Sequence, residues 1–257
     1  MTRRWSLITT IAVLTVALAF VVAQLVRGQD SGDSGDSGDS GEKQASPSTG
    51  TESLAGVGWW PLHKSGTAKA GEHDALVRGD VEWTDGPEGG ALRLDGTSAY
   101  ADAGTRIDTT GDYSVAARVR LTAESMKGFH TALSQDGDRI SNFFLQYSGQ
   151  DENFAFSFPG ARTVAEKAEP PQADRWYHLT GTYDQKDHQM RIYVDGKLAG
   201  SREASSKQKG TGDIVMGRGQ LRGEAADQWK GDIADVHVYD RELTPDEVGS
   251  LSAGEPD

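Results

Sequence analysis

Acidic side chains occur in several clusters, and paired carboxylates are the groups that hydrolysis of a glycosidic bond requires. A glycoside hydrolase needs two carboxyl groups about 5–10 Å apart, one on each side of the bond. Glu82, Asp85 and Glu88 surround a Gly/Pro turn, and Asp184 and Asp187 flank a predicted hairpin loop. Neither cluster places alternate acids on one strand, where they would share a face. No Gly-x-Ser-x-Gly nucleophile motif is present either. The sequence therefore favours a binding protein over an enzyme.

The next candidate functional residues are those that could bind a metal ion, namely the histidines and the aspartates of the turn at Asp136. The six histidines lack the spacing of a metal site, and we expect His178 and His237, on predicted strands, to be packed or hydrogen-bonded. Calcium needs about six to eight oxygen ligands, whereas Asp136 and Asp138 form an isolated pair around Gly137. A turn in which these carboxylates bond backbone N–H groups is the favoured interpretation. The sequence thus predicts no metal and no other cofactor, with Ca2+ as the disfavoured alternative.

A carbohydrate site usually combines an aromatic platform with a few amide, carboxylate or guanidinium groups. Such groups occur in a predicted loop over residues 135–153 and in a second loop over residues 218–229. The candidate ligand-binding residues are Asp136, Arg139, Asn142, Tyr147 and Trp229. Both loops could equally be ordinary solvated loops, and Tyr147 and Trp229 could belong to the core.

Strands must position these loops, and residues 175–202 show them most clearly. Residues 176–183 are rich in aromatic and β-branched side chains, as is typical of a strand. In residues 190–195, apolar and polar side chains alternate with the period of a strand that buries one face. Asp195-Gly196 then predicts a type I′ turn, whose two central residues need positive φ. A three-strand meander cannot bury its apolar face alone, so the remaining chain must supply a second layer.

Further strands and one helix are predicted around this meander. Apolar residues alternate over residues 113–121, and Phe154, Phe156 and Phe158 share one face of a strand while small residues share the other. Turn signals recur about every ten residues, as expected for a β-sandwich. Near the C-terminus, Thr244-Pro245-Asp246-Glu247 has the form of a capped helix start.

Several segments of the chain carry a family resemblance, among them GWWPL at 58–62, HDALVRGDVEW at 73–83 and ALRLDGTSAYADAG at 91–104, which resemble the opening of LamG-like jelly rolls. WYHLTGTYD at 176–184 and MRIYVDGKLAG at 190–200 resemble the central signature of LamG-like jelly-roll domains in the concanavalin A-like lectin/glucanase superfamily. GDIADVHVYDRELTPDEVGSL at 231–251 is similar to the closing motif of LamG-like and pentraxin domains. The resemblance covers roughly residues 54–252. It implies an all-β fold, a two-sheet antiparallel jelly-roll sandwich with a short C-terminal helix. It leaves the ligand open, because the superfamily includes lectins, adhesion modules, pentraxins and glycosidases.

The resemblance also implies functional sites from which this sequence departs. Many LamG-like domains hold calcium with the Asp of a closing Gly-x-Ile-Asp motif, where this chain has Ala234, and with an acid where it has Lys69-Ala70-Gly71. Pentraxins use a Glu-Gln-Asp run where this chain has Arg218-Gly219-Gln220. The retaining glucanases of the superfamily carry Glu-x-Asp-x-Glu on one strand, a pattern that this sequence lacks. We therefore expect the inherited calcium and catalytic sites to be missing.

Composition limits the remaining classes of function. The chain has no cysteine, which excludes disulfides, thiolate metal sites and thiol nucleophiles. Its net charge of −13 argues against nucleic acid as a partner, because phosphates require a surface rich in lysine and arginine. A hydrophobic content of 36% is too low for a multi-span membrane protein.

The first 52 residues predict a membrane anchor and a tether. Residues 7–26 form an apolar run long enough to span a bilayer, and Arg3 and Arg4 before it favour a cytoplasmic N-terminus. We predict a single transmembrane helix in residues 1–28, with a cleaved signal peptide and a secreted protein as the alternative. Residues 29–52 repeat Asp-Ser-Gly four times without an apolar cluster, which predicts a disordered linker.

These features predict a LamG-like jelly-roll domain in residues 53–257, held outside the cytoplasm at the cell membrane. We expect a binding module for carbohydrate or cell-wall glycan, without enzymatic activity. A protein–protein adhesion or scaffold module with a surface protein as partner is the alternative. A glycoside hydrolase is less favoured than either.

Overall fold

Strands are the main type of secondary structure in the part of the chain that the structure describes. The computed structural model describes residues 56–206 and 208–254. The predicted transmembrane helix of residues 1–28 and the linker of residues 29–52 lie outside the described residues. Both stay predictions, as do the domain boundaries. Within the described residues, no helix is long and apolar enough to cross a bilayer.

The described residues form strands β1 to β17, one turn of 3-10 helix and one α-helix. The first nine strands are β1 (Gly58–Trp60), β2 (Leu76–Arg78), β3 (Val81–Thr84), β4 (Ala91–Asp95), β5 (Tyr100–Asp102), β6 (Tyr113–Leu121), β7 (Phe129–Gln135), β8 (Phe143–Ser148) and β9 (Asn153–Phe158). The others are β10 (Ala161–Val164), β11 (Trp176–Asp184), β12 (Gln189–Val194), β13 (Lys197–Glu203), β14 (Ile214–Met216), β15 (Gly219–Leu221), β16 (Glu224–Ala226) and β17 (Lys230–Tyr239). The 3-10 turn covers Ala123–Ser125, and helix α1 covers Pro245–Ala253.

These strands form two large antiparallel sheets whose inner faces share one hydrophobic core. The larger sheet has the order β13-β12-β11-β6-β17-β4-β3, and β1 pairs with β17 beside β4. The smaller sheet has the order β10-β9-β8-β7-β14-β5-β2, and β15 and β16 form a separate hairpin. The predicted all-β antiparallel sandwich with a short C-terminal helix is confirmed.

Local backbone signals in the sequence have the expected structures. Asp195 and Gly196 have φ of 49° and 75° and join β12 to β13, as a type I′ turn requires. At the start of α1, the Thr244 hydroxyl accepts a hydrogen bond from the Glu247 amide, and the Glu247 carboxylate accepts one from the Thr244 amide. This reciprocal capping box satisfies two N–H groups that have no partner inside the helix.

The core between the sheets is centred on aromatic rings. Phe156 and Phe158 of β9 point inward and contact Tyr113 of β6, with ring centroids 6.2 and 6.3 Å apart. Phe158 also meets Tyr183 of β11 edge to face at 5.1 Å. Because β9 belongs to the smaller sheet and β6 and β11 to the larger one, these contacts hold the two layers together. The predicted inward stripe of β9 is confirmed.

A buried polar cluster lies on the outer face of the larger sheet, where β17 contains a β-bulge. Asp235 in this bulge has φ of 48°, and its carboxylate accepts a hydrogen bond from Trp59 Nε1 at 2.9 Å and lies 2.8 Å from His237 Nε2. Arg118 Nε lies 3.5 Å from the same carboxylate. Burial alone would raise the pKa of Asp235, but the bonds from His237 and Trp59 and the charge of Arg118 lower it below its usual value. His237 is hydrogen-bonded, as expected.

His178 of β11 lies beside this cluster and predicts a pH-dependent stability. The side chain is buried, and neither ring nitrogen has a hydrogen-bond partner among the described residues. Burial, aided by the charge of Arg118, lowers the pKa of His178 from 6.5 to about 3. The pKa of His178 is therefore lower in the folded state than in the unfolded state. The contribution of the neutral ring to the free energy of unfolding is fully present above pH 6.5 and is lost as the pH falls from 6.5 towards 3.

The corresponding experiment compares urea unfolding of the wild type and His178→Leu at pH 7, 6, 5 and 4. We expect the wild type to lose up to about 1.4 kcal/mol more stability per pH unit below 6.5 than the variant, because only the wild type must charge this buried ring. The exposed His63, changed to Leu, is the matched control and should keep the wild-type pH dependence. Parallel pH curves for the wild type and His178→Leu would contradict the assignment.

Candidate ligand-binding groove

The structure does not bring the five predicted site residues together into one surface. Tyr147 and Trp229 are core residues with relative exposures of 1% and 0%, so neither forms a platform on which a sugar could stack. The alternative interpretation of both as core residues is the correct one. Asn142 is also buried and donates a hydrogen bond to the Gln208 carbonyl at 3.0 Å. Arg139 is exposed in the loop between β7 and β8.

Asp136 forms an ion pair, which bears on the question of calcium. Its two carboxylate oxygens accept hydrogen bonds from Arg218 Nη1 and Nη2, each at 2.8 Å. Asp138 accepts one from the Thr211 hydroxyl at 3.1 Å. A cation at Asp136 would have to displace a guanidinium that donates two hydrogen bonds to the carboxylate. Such charge-assisted, bidentate pairs are stronger than hydrogen bonds between neutral groups. Among the described residues, no group of three or more His, Asp or Glu side chains is arranged to hold a metal ion.

A groove on the outer face of the smaller sheet is the best candidate for a ligand site. In β8 and β9, Phe143, Leu145, Phe154, Phe156 and Phe158 belong to the core cluster. The residues between them therefore face outward. The register places Phe144 of β8 opposite Ser157 of β9, and Ser157 opposite Arg162 of β10. This row crosses the floor of a cavity of about 490 Å3. The cavity is lined by Phe129, Ile140, Phe144, Gln146, Ser157, Phe158, Pro159, Gly160, Ala161, Arg162, Arg202, Leu221 and Asp227.

The polar groups on the groove floor are held in place by one another. Gln146 Nε2 donates to Ser157 Oγ at 2.9 Å, and Arg162 Nε approaches the same oxygen at 3.3 Å. Arg162 Nη1 donates to Asp151 Oδ2 at 3.0 Å, and the guanidinium lies 4.8 Å from the centre of the Phe129 ring. Gln146 and Ser157 are mostly buried in the floor, with relative exposures of 3% and 5%, and their hydrogen bonds fix the Arg162 guanidinium, which is 32% exposed, before any ligand arrives. Such pre-organisation reduces the side-chain entropy that is lost on binding.

Asp227 adds a carboxyl group to the groove lining. It follows β16 with a φ of 53°, and its carbonyl accepts a hydrogen bond from the Thr131 amide at 2.7 Å, which fixes the backbone there. Burial raises the pKa of the Asp227 carboxyl above its usual value, and the neighbouring His130 and Arg162 side chains offset part of this effect. The groove therefore offers a carboxyl oxygen as acceptor beside the donors of Gln146 and Arg162.

The β15–β16 hairpin forms one wall of the groove. A bridge between Ile140 and Leu221 connects it to the β7–β8 loop, and the Gly137 amide donates to Gln220 Oε1 at 3.2 Å. The Arg139 carbonyl accepts a hydrogen bond from the Gly223 amide at 2.8 Å. Leu221 remains 46% exposed and gives this wall an apolar surface. The two predicted loops therefore do meet, and they contribute Gln146, Leu221 and Asp227 to the groove lining, whereas none of the five candidate residues belongs to it.

Sequence reasoning missed Gln146, Ser157, Arg162 and Asp227. One signal was available for three of them. Once the three phenylalanines of β9 are assigned to the core, Ser157 must face outward, and the residues paired with that face share it. The sequence contained no comparable signal for Asp227, which reaches the groove through tertiary structure.

Two antiparallel sheets packed face to face around one core define a β-sandwich domain. The family model described as the concanavalin A-like lectin/glucanases superfamily matches residues 95–249. The chain belongs to this family, as its resemblance to LamG-like domains indicated.

Two curated relatives match part of the chain. Human neuronal pentraxin-1 is 33% identical over 85 residues, which are 30% of this chain and 20% of that protein. The rat (Rattus norvegicus) sushi, von Willebrand factor type A, EGF and pentraxin domain-containing protein 1 is 32% identical over 89 residues, which are 32% of this chain and 2% of that protein. The match thus spans a small part of each relative.

Solved structures share the fold at low sequence identity. Domain 4 of AbnA, a GH43 extracellular arabinanase from Geobacillus stearothermophilus in complex with arabinotriose, has a TM-score of 0.60 and 18% identity, with 76% of this chain and 97% of that chain covered. The receptor binding domain of botulinum neurotoxin C/D mosaic serotype has a TM-score of 0.58 and 15% identity, with 78% and 51% covered. At these identities the similarity is one of fold.

Proposed function

We propose that this domain is an extracytoplasmic binding module that recognises carbohydrate in the groove on the smaller sheet. The observation that carries the proposal is the fixed set of Gln146, Ser157 and Arg162 beside Asp227. Amide, hydroxyl, guanidinium and carboxyl groups together supply the donors and acceptors that sugar hydroxyls need. Leu221 offers an apolar contact for the C–H face of a ring. The likeness to an arabinanase domain in complex with arabinotriose supports the same class of ligand.

We infer that the groove binds its ligand without hydrolysing it. Hydrolysis by the usual mechanisms needs two carboxyl groups on opposite sides of the bond. Within the described part of the chain, Asp227 is the one acid that lines the cavity. The nearby Asp151 carboxylate accepts hydrogen bonds from Ser148 and Arg162, at 2.6 and 3.0 Å, and does not belong to the cavity lining.

The test is calorimetric titration of the purified 53–257 fragment with arabinotriose, xylotriose, cellotriose and chitotriose, and a pull-down with isolated cell-wall polysaccharide. Saturable binding to at least one sugar, without release of shorter products, is the expected result. The absence of binding to every sugar, together with saturable binding to a purified surface protein, would favour the adhesion alternative.

We propose in addition that residues 1–52 anchor and tether this domain at the outer side of the cell membrane. The support is the apolar run of residues 7–26 and the Asp-Ser-Gly repeats that follow it. Protease added to intact cells should cut the repeats and release a folded domain. Protection of the repeats in intact cells, but not in lysed cells, would reverse this orientation.

A further inference from the structure

A second cavity adjoins the groove. It has a volume of about 500 Å3 and shares with the first cavity the residues 158–161 and Arg202. Its remaining lining comes from the segment after β13, namely Glu203, Ala204, Ser205, Ser206 and Gln208. A single small-molecule site typically occupies about 300–1,000 Å3, so one cavity would already hold a short sugar.

We propose that the ligand of this domain is a linear oligosaccharide that occupies both cavities, with Arg202 binding it at the junction. The inference rests on the proposed glycan function and names the form of the ligand: a run of several sugar units rather than a single unit or a chain end. Three features of the junction between the cavities lead to it.

The first feature is the low ridge that separates the cavities. This ridge is the β9–β10 turn at Pro159-Gly160, which lines both cavities. Gly160 has φ of 89°, and a Cβ atom placed on it would find nothing within 4 Å, so the space above the turn is open. Glycine at this position satisfies the left-handed backbone and also leaves no side chain in the path of a bound chain.

The second feature is the set of N–H donors that Arg202 keeps available for a ligand. This exposed side chain lines both cavities, and Nη1 donates to the Arg162 carbonyl at 3.2 Å. Within residues 56–206 and 208–254, no carboxylate lies within ion-pair distance of Arg202, whereas Arg162 is paired with Asp151. A guanidinium has five N–H donors, so most of those on Arg202 remain available to a ligand that crosses the junction.

The third feature is the sequence of polar groups along the path. Asp227, Gln146 and Arg162 line the first cavity, Arg202 lines both, and Glu203 and Ser206 line the second. Donors and acceptors therefore continue past the ridge. A ligand confined to the first cavity would leave the second set unused, whereas a linear chain of sugar units would bond to both.

The experiment measures affinity against ligand length. Arabino-oligosaccharides of two to six units are titrated into the 53–257 fragment, with the cello- and chito-series in parallel. In the series that binds, we expect the longest members to bind at least about tenfold more tightly than the disaccharide, because they gain hydrogen bonds to a charged group. Ser205→Trp should remove this gain and leave disaccharide binding unchanged, because Ser205 is exposed and lines only the second cavity.

Ser65→Trp is the matched control, since it adds the same bulk to an exposed position that lines neither cavity. It should keep the wild-type length dependence. Equal affinity for all lengths, or a length dependence that survives Ser205→Trp, would overturn the two-cavity ligand while leaving glycan binding intact. Failure of every series to bind would overturn the proposed function and this inference with it.

Discussion

Replacing Phe156 with alanine is expected to destabilise the domain by about 3–5 kcal/mol. The ring is fully buried and contacts Phe143, Phe158 and Tyr113 at centroid distances of 6.1, 5.4 and 6.2 Å. It also packs against Gly181, where a Cβ atom would lie 2.6 Å from the ring. Its removal would therefore open a cavity between two sheets whose backbones cannot easily collapse into it.

Ser157→Ala on the opposite face of β9 is the matched control. It removes a hydrogen-bond acceptor for Gln146 and Arg162 but no core contact, so we expect a loss of about 1 kcal/mol. Urea unfolding, with the slope against denaturant compared between variants, measures both changes. Small and equal losses at the two positions would contradict the assignment of Phe156 to the inner face.

Arg162→Ala is expected to weaken glycan binding by about 10- to 100-fold, while the fold is retained. Arg162 is the charged donor fixed at the centre of the groove floor, and hydrogen bonds to charged groups contribute more than neutral ones. Its side chain is 32% exposed, so its removal should disturb the core little. Arg162→Lys should restore only part of the affinity, since lysine lacks the planar fork of donors.

Arg175→Ala provides a control with the same local interactions outside the groove. Arg175 lies 4.6 Å from the centre of the Tyr177 ring and pairs with Asp195 at 3.2 Å, as Arg162 does with Phe129 and Asp151. We expect wild-type affinity from this variant in the same calorimetric titration. Equal losses of affinity in Arg162→Ala and Arg175→Ala would mean that the change in net charge, and not the position of Arg162 in the groove, causes the weaker binding.

The sequence contained much of the fold because its signals are local. Period-2 alternation placed Phe154, Phe156 and Phe158 in the core, and positive φ at Asp195-Gly196 follows from residue types that tolerate it. The Thr244 cap is likewise a relation between residues three positions apart. Such relations involve residues that are close in the chain, so they can be predicted from the sequence without knowledge of the tertiary structure.

The site could not be predicted in the same way because its residues meet through tertiary structure. Tyr147 and Trp229 were selected for their type, yet Tyr147 alternates with Leu145 and Phe143 and therefore faces the core. Asp136 was a candidate carboxylate until Arg218, 82 positions away in the chain, proved to be its partner. Asp227 reaches the groove because the β15–β16 hairpin returns against β7, a contact that no sequence pattern marks.

The position of the bound sugar tests glycan recognition in the groove most directly. The 53–257 fragment, labelled with nitrogen-15, is titrated with the trisaccharide that binds best, and shifts of backbone and side-chain amide signals are followed. We predict that the largest shifts fall on the Gln146 side-chain amide and on the backbone amides of Ser157, Arg162 and Asp227. Shifts confined to the larger sheet, around Trp59 and His237, would contradict the assignment of the groove as the binding site.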